Sequence, residues 1–299
     1  MVKYLLLLSL FFSYGCASEK NYYNYYANKN LGSKFLKIDN LKVHYREIGT
    51  GDTIVLLHGI CDSLHTWRYW KNQLVQQGFH VITVDIPGFG LTGKWNKAYT
   101  IENYTIFLKE FLDKLEIKKT HIIGNSLGGY LAWNFASSHP ERVNKLGLIS
   151  PAAYPLDPPF VVKMASNSFT RWLSKTFNNR AISDHLAESV FNKPEKMSEW
   201  DKERFYRLFN LEGNHDAYMG VFQNILEIAE HEPNLTLLKT PTLLLWGEKD
   251  AWIPHNQAKL WERDVKNLKL ISYKDVGHVP QLEIPNKSLN DVIHFLKTE

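Results

Sequence analysis

Several functions are excluded by what this chain has little of. It has two cysteines, Cys16 and Cys61, and the first lies at the edge of an N-terminal leader, so no structural disulfide follows. No P-loop, no Cys/His zinc spacing and no H-E-x-x-H pattern occurs, so neither a metal nor a cofactor is implied. The net charge is only +4 and the basic residues are scattered without a long run, which speaks against a nucleic-acid partner. The longest apolar run, Tyr4 to Phe12, is too short to span a bilayer, and there is no internal repeat. What is abundant is ordinary for a globular protein: 299 residues, 44% apolar and 22% charged, with many aromatics. That length suits one large domain, or one domain with an insertion.

The first residues read as a targeting segment. Lys3 precedes the apolar run, and Ser13-Tyr14-Gly15-Cys16-Ala17-Ser18 follows. A small residue before a cysteine at this place resembles the bacterial lipobox. The expectation is a signal peptide over 1–15, lipidation of Cys16, and export with anchoring to a bacterial membrane. Residues 16–33 are Tyr-, Asn- and Lys-rich and are expected to form a solvated tether.

Beyond the tether, Lys34 to Ile38 and Leu41 to Glu47 alternate apolar and polar around Asp39-Asn40, as in a β-hairpin. The runs Thr53 to Leu57, Val81 to Asp85, His121 to Gly124, Lys145 to Ile149, Thr242 to Trp246 and Lys269 to Tyr273 are nearly continuous apolar strands, as a sheet covered on both faces requires. Helical spacing separates them: His65 to Gln77, a helix capped by Thr100, Leu127 to Ser138, His255 to Asp264, and Pro285 to Lys297. The alternation argues an α/β fold with a mostly parallel, doubly wound sheet. It is interrupted after Ser150. Residues 151–238 show helical spacing and many aromatics, and read as an inserted helical cap on a core of 34–150 and 239–299.

The chemistry centres on Gly124-Asn125-Ser126-Leu127-Gly128-Gly129, a G-x-S-x-G between a strand and a helix. An isolated match reads equally well as a turn opening an ordinary helix. Here the flanks fit a nucleophile elbow, in which the serine sits on a strained turn above the sheet edge. Ser126 is therefore the candidate nucleophile and His278, in the loop after the last strand, the candidate base. Asp250 is the candidate that orients the base, with Glu248 and Asp85 as rivals. Parallel strands end on one edge, so their loops converge there. The backbone N–H groups of Ile60 and Leu127 are the candidate oxyanion hole. His58 reads as a structural residue bonding neighbouring loop backbone. Gly88-Phe89-Gly90-Leu91-Thr92-Gly93 spells G-x-G-x-x-G, but loop-like residues follow it, so it is not read as a dinucleotide site.

These motifs, together with Leu57-His58-Gly59, Asp85-Ile86-Pro87-Gly88-Phe89-Gly90, His139-Pro140-Glu141-Arg142-Val143, Trp246-Gly247-Glu248-Lys249-Asp250 and Gly277-His278, resemble the α/β-hydrolase fold superfamily from about Lys34 to Leu296. The likeness is greatest to capped serine esterases and to hydrolases of ring-cleavage products. Epoxide hydrolases and haloalkane dehalogenases of this fold carry aspartate at the elbow, and Ser126 argues against both. The resemblance implies a serine hydrolase that cleaves small to medium carboxylic esters through an acyl-enzyme. The alternatives are a C–C bond hydrolase of ring-cleavage products, where Ile60-Cys61-Asp62 replace the glycines usual after the His-Gly turn, or a ligand-sensing protein on the same scaffold.

Overall fold

A computed structural model describes residues 22–157, 163, 180–228 and 232–298. The expected signal peptide and Cys16 lie outside these residues, as do the cap aromatics Phe160, Phe169, Trp172 and Phe177.

Eight strands form one sheet: β1 (Ser33–Ile38), β2 (Leu41–Ile48), β3 (Asp52–Leu57), β4 (Phe79–Val84), β5 (Thr120–Asn125), β6 (Val143–Ile149), β7 (Thr242–Gly247) and β8 (Leu268–Tyr273). Their order is β1-β2-β4-β3-β5-β6-β7-β8. The β1–β2 hairpin and the β2–β4 pair are antiparallel, and every later pairing is parallel. Alternate residues of β3 enter different cores. Val55 and Leu57 pack on one face with Phe107 and Phe111, while Ile54 and Leu56 pack on the other with Leu289 and Val292. A strand buried on both sides must be apolar at every position, which is why the run from Thr53 to Leu57 lacks alternation.

The helices are α1 (Lys71–Gln76), α2 (Ile101–Lys114), α3 (Leu127–Ser138), α4 (Arg180–Glu188), α5 (Glu199–Phe209), α6 (Asn214–Ile228), α7 (Ala258–Asp264), α8 (Pro280–Glu283) and α9 (Pro285–Lys297). Thr100 caps α2 as expected, its side chain accepting from Asn103 N–H. The single helix expected over His65 to Gln77 is instead a 3₁₀ turn (Leu64–Trp67) followed by α1. Trp67 and Trp70 are both fully buried, with ring centroids 5.2 Å apart. Residues three apart eclipse in 3₁₀ geometry, so the Trp70 N–H to Trp67 C=O bond turns both rings to one core. The helix expected from His255 likewise begins as a 3₁₀ turn (His255–Gln257), and α8 is an element that no apolar periodicity marked.

Two further departures concern the chain outside the sheet. Residues 22–26 are helical, and Tyr26 is buried with Leu91 and Leu208, while its carbonyl accepts from Ser33 Oγ at 2.8 Å. Part of the segment expected to be a solvated tether therefore packs on the domain, through Tyr23, Tyr26 and Ala27, while residues 28–32 are exposed. Between β6 and β7 the described residues form α4, α5 and α6 and no strand. Phe191, Phe205, Phe209, Tyr218 and Phe222 are buried there, and Trp200 is exposed. The Tyr218 ring lies 4.9 Å from both Phe209 and Phe89, joining cap helices to a core loop.

β5 also carries a titratable core residue. His121 is buried, and its Nδ1 has no hydrogen-bond partner among the described residues. Burial lowers its pKa from the ordinary 6.5 to about 4. Between those values the unfolded chain binds a proton that the folded chain does not. Stability therefore falls as pH drops through this window and levels off below it. His121→Gln removes the effect. Its loss of unfolding free energy between pH 7 and pH 4.5, from urea titration, should be smaller than the parent's by about 2 kcal/mol. Equal losses would refute a neutral buried imidazole.

Candidate active site

Ser126 joins β5 to α3 with φ 54° and ψ −114°, a left-handed conformation that costs a non-glycine residue about 1–3 kcal/mol. The turn is possible because its flanks are bare. A Cβ on Gly124 would lie 2.2 Å from Gly128 O, and one on Gly128 would lie 2.3 Å from Leu57 O. The strand and helix thus touch backbone to backbone on either side of the serine. Leu127 N–H belongs to the first turn of α3, whose amides have no intrahelical partner.

The register β3–β5–β6–β7–β8 brings Leu57, Asn125, Ile149, Gly247 and Tyr273 to one edge of the sheet. The loops after β7 and β8 carry the other two predicted residues. His278 Nδ1 lies 2.8 Å from Asp250 Oδ2, and both side chains are buried. The other Asp250 oxygen accepts the N–H groups of Trp252 and Ile253, each at 2.9 Å. Of the rival acids, Glu248 is exposed and Asp85 is 2.6 Å from His44. A carboxylate only accepts, so Nδ1 of His278 donates and the Nε2 lone pair is left free. Nε2 is buried with no hydrogen-bond partner among the described residues, and His278 and Ser126 line one cavity.

The loop after β3 completes the floor. Ile86 N–H donates to His58 Nε2 at 2.9 Å, and His58 Nδ1 donates to Gly59 O at 2.7 Å, so the ring is spent on backbone. Burial holds its pKa below the ordinary value, and the neutral ring this favours suits one donor and one acceptor. Gly59 faces Ser126, and Ile60 and Cys61 line the cavity, Cys61 at φ 58°. Asp85 accepts Leu64 N–H and Leu91 N–H at 2.8 Å each. Burial opposes its ionisation, yet His44, His58 and His65 hold its carboxyl well below the usual range. The G-x-G-x-x-G stretch is a loop wrapped on this carboxylate: a Cβ on Gly90 would lie 2.2 Å from it.

Other residues of the site escaped the sequence reading. Asn125 Nδ2 donates to Ile149 O and to His278 O, at 3.1 and 3.2 Å, tying the elbow to the histidine loop. Glu283 Oε1 accepts Gly277 N–H at 2.6 Å and Asn192 N–H at 3.1 Å. The cap reaches the same loop, since His278 N–H donates to Val190 O at 2.8 Å. Trp252 did not escape, since its place beside Asp250 makes it a pocket candidate: it lines the cavity, its ring nearly parallel to the imidazole with centroids 6.1 Å apart. Only Asn125 lay inside a motif. The rest depend on contacts between segments far apart in the chain. From the cap, Phe191, Met197, Phe205 and Val190 give the cavity an apolar wall that also contains Arg204. Trp67, which by its place in the loop region after β3 could also have faced the pocket, belongs to the core on the other side of the sheet.

Comparison with known proteins agrees with this architecture. A family model described as alpha/beta hydrolase fold matches residues 52–285. A 2-hydroxy-6-oxononadienedioate/2-hydroxy-6-oxononatrienedioate hydrolase from Escherichia coli is 26% identical over 276 residues, covering 88% of this chain and 95% of its own. A meta-cleavage product hydrolase from Pseudomonas fluorescens superposes with a TM-score of 0.78 at 22% identity, over 88% of this chain and 97% of that one. A membrane phospholipase A described as a bacterial virulence factor superposes with a TM-score of 0.76 at 23% identity, over 99% and 98%.

Proposed function

Since the chain belongs to the α/β-hydrolase fold family, we propose that it is a serine hydrolase working through an acyl-enzyme on Ser126. The observation that carries this reading is the 2.8 Å contact of His278 Nδ1 with Asp250, with Nε2 left unbonded beside the cavity that Ser126 lines. In this reading His278 removes the hydroxyl proton as Ser126 attacks a carbonyl carbon. Asp250 stabilises the imidazolium, and the N–H groups of Ile60 and Leu127 hold the oxyanion. The imidazolium then protonates the leaving group. Water activated by the same ring releases the acid and frees Ser126.

The substrate is the finer question. The similarity to 2-hydroxy-6-oxononadienedioate/2-hydroxy-6-oxononatrienedioate hydrolases supports carbon–carbon bond hydrolysis over the ester cleavage expected from sequence. The leaving atom is then a carbon: the 2-hydroxy-dienoate must first ketonise, its hydroxyl losing a proton and that carbon gaining one, so that the electron pair of the broken bond passes into the adjoining enone and leaves as a dienolate, which takes its proton from the imidazolium. The same machinery serves an ester, whose alkoxide is the easier leaving group. One observation favours that second reading: the cavity wall is apolar, and the charge of Arg204 is already met by Asp62. A substrate carrying carboxylates therefore has no unpaired cation awaiting it there among the described residues.

A parallel panel decides the matter. 2-Hydroxy-6-oxo-dienoates are followed by loss of their chromophore, and p-nitrophenyl esters of increasing acyl length by nitrophenolate release. Carbon–carbon hydrolysis is expected to exceed ester hydrolysis in kcat/KM by at least about 100-fold, or roughly 3 kcal/mol of transition-state binding. The opposite ratio selects the ester reading. Saturable binding with no turnover of either class selects the sensor and sinks the enzyme.

A further inference from the structure

A charged side chain stands where an apolar cavity wall has no need of one. Arg204, on cap helix α5, is 2% exposed. Burying a guanidinium costs several kcal/mol unless its donors are met. Here Nη1 donates to Asp62 Oδ1 and to Ser63 Oγ, each at 2.7 Å. Nη2 is 3.6 Å from Asp201 Oδ1, and Asp201 is itself held through Oδ2 by Arg68 at 2.5 Å and Ser198 Oγ at 2.6 Å. The guanidinium is therefore directed at the core, and what it grips is the loop that follows β3.

That loop places Ile60. Gly59 lies against the elbow: a Cβ there would stand 3.3 Å from Ser126 Cβ. Cys61, two residues on, is held at φ 58°, a conformation that a cysteine adopts only when its surroundings impose it. His58 fixes the loop on one side of the strained residue through Gly59 O and Ile86 N–H. On the other side Asp62 accepts Ser63 N–H at 2.8 Å and Arg204 Nη1 through the same oxygen, Oδ1. Without Nη1, the Asp62 carboxylate and the Ser63 hydroxyl would both lose their partner on the cap.

We propose that Arg204 is a positioning residue of the hydrolase read above. Through Asp62 and Ser63 it locks the strained loop and so sets the direction of the Ile60 N–H toward the developing oxyanion, without touching the substrate. This rests on the serine-hydrolase reading. It gives the cap a part in assembling the site, beyond roofing it.

The test uses full-length Arg204→Lys and Asp62→Asn and their double variant. A lysine keeps the charge, but its ammonium is a point charge on a flexible stem, without the rigid plane that fixes the direction of the Nη1 bonds to Asp62 and Ser63. Each single variant is expected to lower kcat by about 10- to 100-fold with KM within about threefold, as for small misplacement of a catalytic group. The double variant should be no worse than either single one. Affinity for a trifluoromethyl ketone, which forms the tetrahedral adduct, should fall in parallel with kcat, while affinity for the acid product should not move. Asp62→Asn, on a partly exposed side chain, covers the case in which Arg204→Lys does not fold. A rise in KM confined to carboxylate-bearing substrates at unchanged kcat would overturn the proposal in favour of direct substrate binding. Unchanged kcat and inhibitor affinity in a folded variant would overturn it outright. Fluorophosphonate labelling of the parent separates the two levels: a parent that is labelled at Ser126 alongside silent variants sinks only the role of Arg204, and an unlabelled parent sinks the hydrolase reading with it.

Discussion

Ser126→Ala is expected to lower kcat by roughly five to six orders of magnitude and to abolish covalent labelling by an alkyl fluorophosphonate, because no other step forms the acyl-enzyme. The fold should survive. Among the described residues the Ser126 hydroxyl has no hydrogen-bond partner, and alanine keeps the same Cβ in the same strained turn. A thermal midpoint within about 2 °C of the parent's, a shift worth about 1 kcal/mol in a chain of this size, is the control that makes the rate loss chemical. Among the described residues that line the cavity, the one other thiol or hydroxyl is that of Cys61. Burial pushes its thiol pKa well above the ordinary value, so at neutral pH it is not the thiolate that attack requires. Retained turnover in Ser126→Ala would nevertheless point to that thiol, and iodoacetamide inactivation of the variant would identify it.

How far the sequence revealed this arrangement depended on whether the signal was local. The elbow was legible because each of its demands falls on a neighbouring residue: an apolar β5, bare Gly124 and Gly128, and the helix that starts at Leu127. The parallel strands were legible because burial on both faces leaves continuous apolar runs, and the hairpin because two alternating runs meet at Asp39-Asn40; that His44 is buried as deeply as Val43 left no mark on that alternation. Elements fixed by distant partners were not legible. The split of the expected His65 to Gln77 helix comes from two tryptophans seeking one core. Residues 22–26 pack because Tyr26 finds Leu91 and Leu208, some 65 and 180 positions away, and five residues are too few to show a period. Asp250 could not be separated from Glu248 on paper, since both follow β7 within three residues. Only the direction of each side chain decides, one toward His278 and one toward solvent. Arg204 looked like one charge among several on an amphipathic helix, and its meaning lies 142 residues away, in the loop it grips.

That direction also sets the second large effect. Asp250 uses its two oxygens differently: Oδ2 takes the proton-bearing Nδ1 of His278, and Oδ1 takes two backbone N–H groups, from Trp252 and Ile253. In Asp250→Asn the amide oxygen must stay on those two donors, since turning the NH₂ toward them would leave three donors facing one another in a buried pocket. The NH₂ is then forced to face His278, where it donates to Nδ1 and drives the ring proton to Nε2. The tautomer so produced points a proton at Ser126 and can no longer accept one. The expected loss in kcat is about 10⁴-fold, with the fold intact because the backbone bonds to Oδ1 persist. The ring-nitrogen chemical shifts of His278 report the mechanism directly, moving from Nδ1–H in the parent to Nε2–H in the variant at neutral pH. Asp250→Ala separates orientation from charge. It frees the ring to take either tautomer but orphans two buried N–H groups, so it should be less stable than Asp250→Asn by about 1–3 kcal/mol for each group left unpaired. A rate within tenfold of the parent in Asp250→Asn, with the Nδ1–H signal unchanged, would take the orienting role away from this carboxylate.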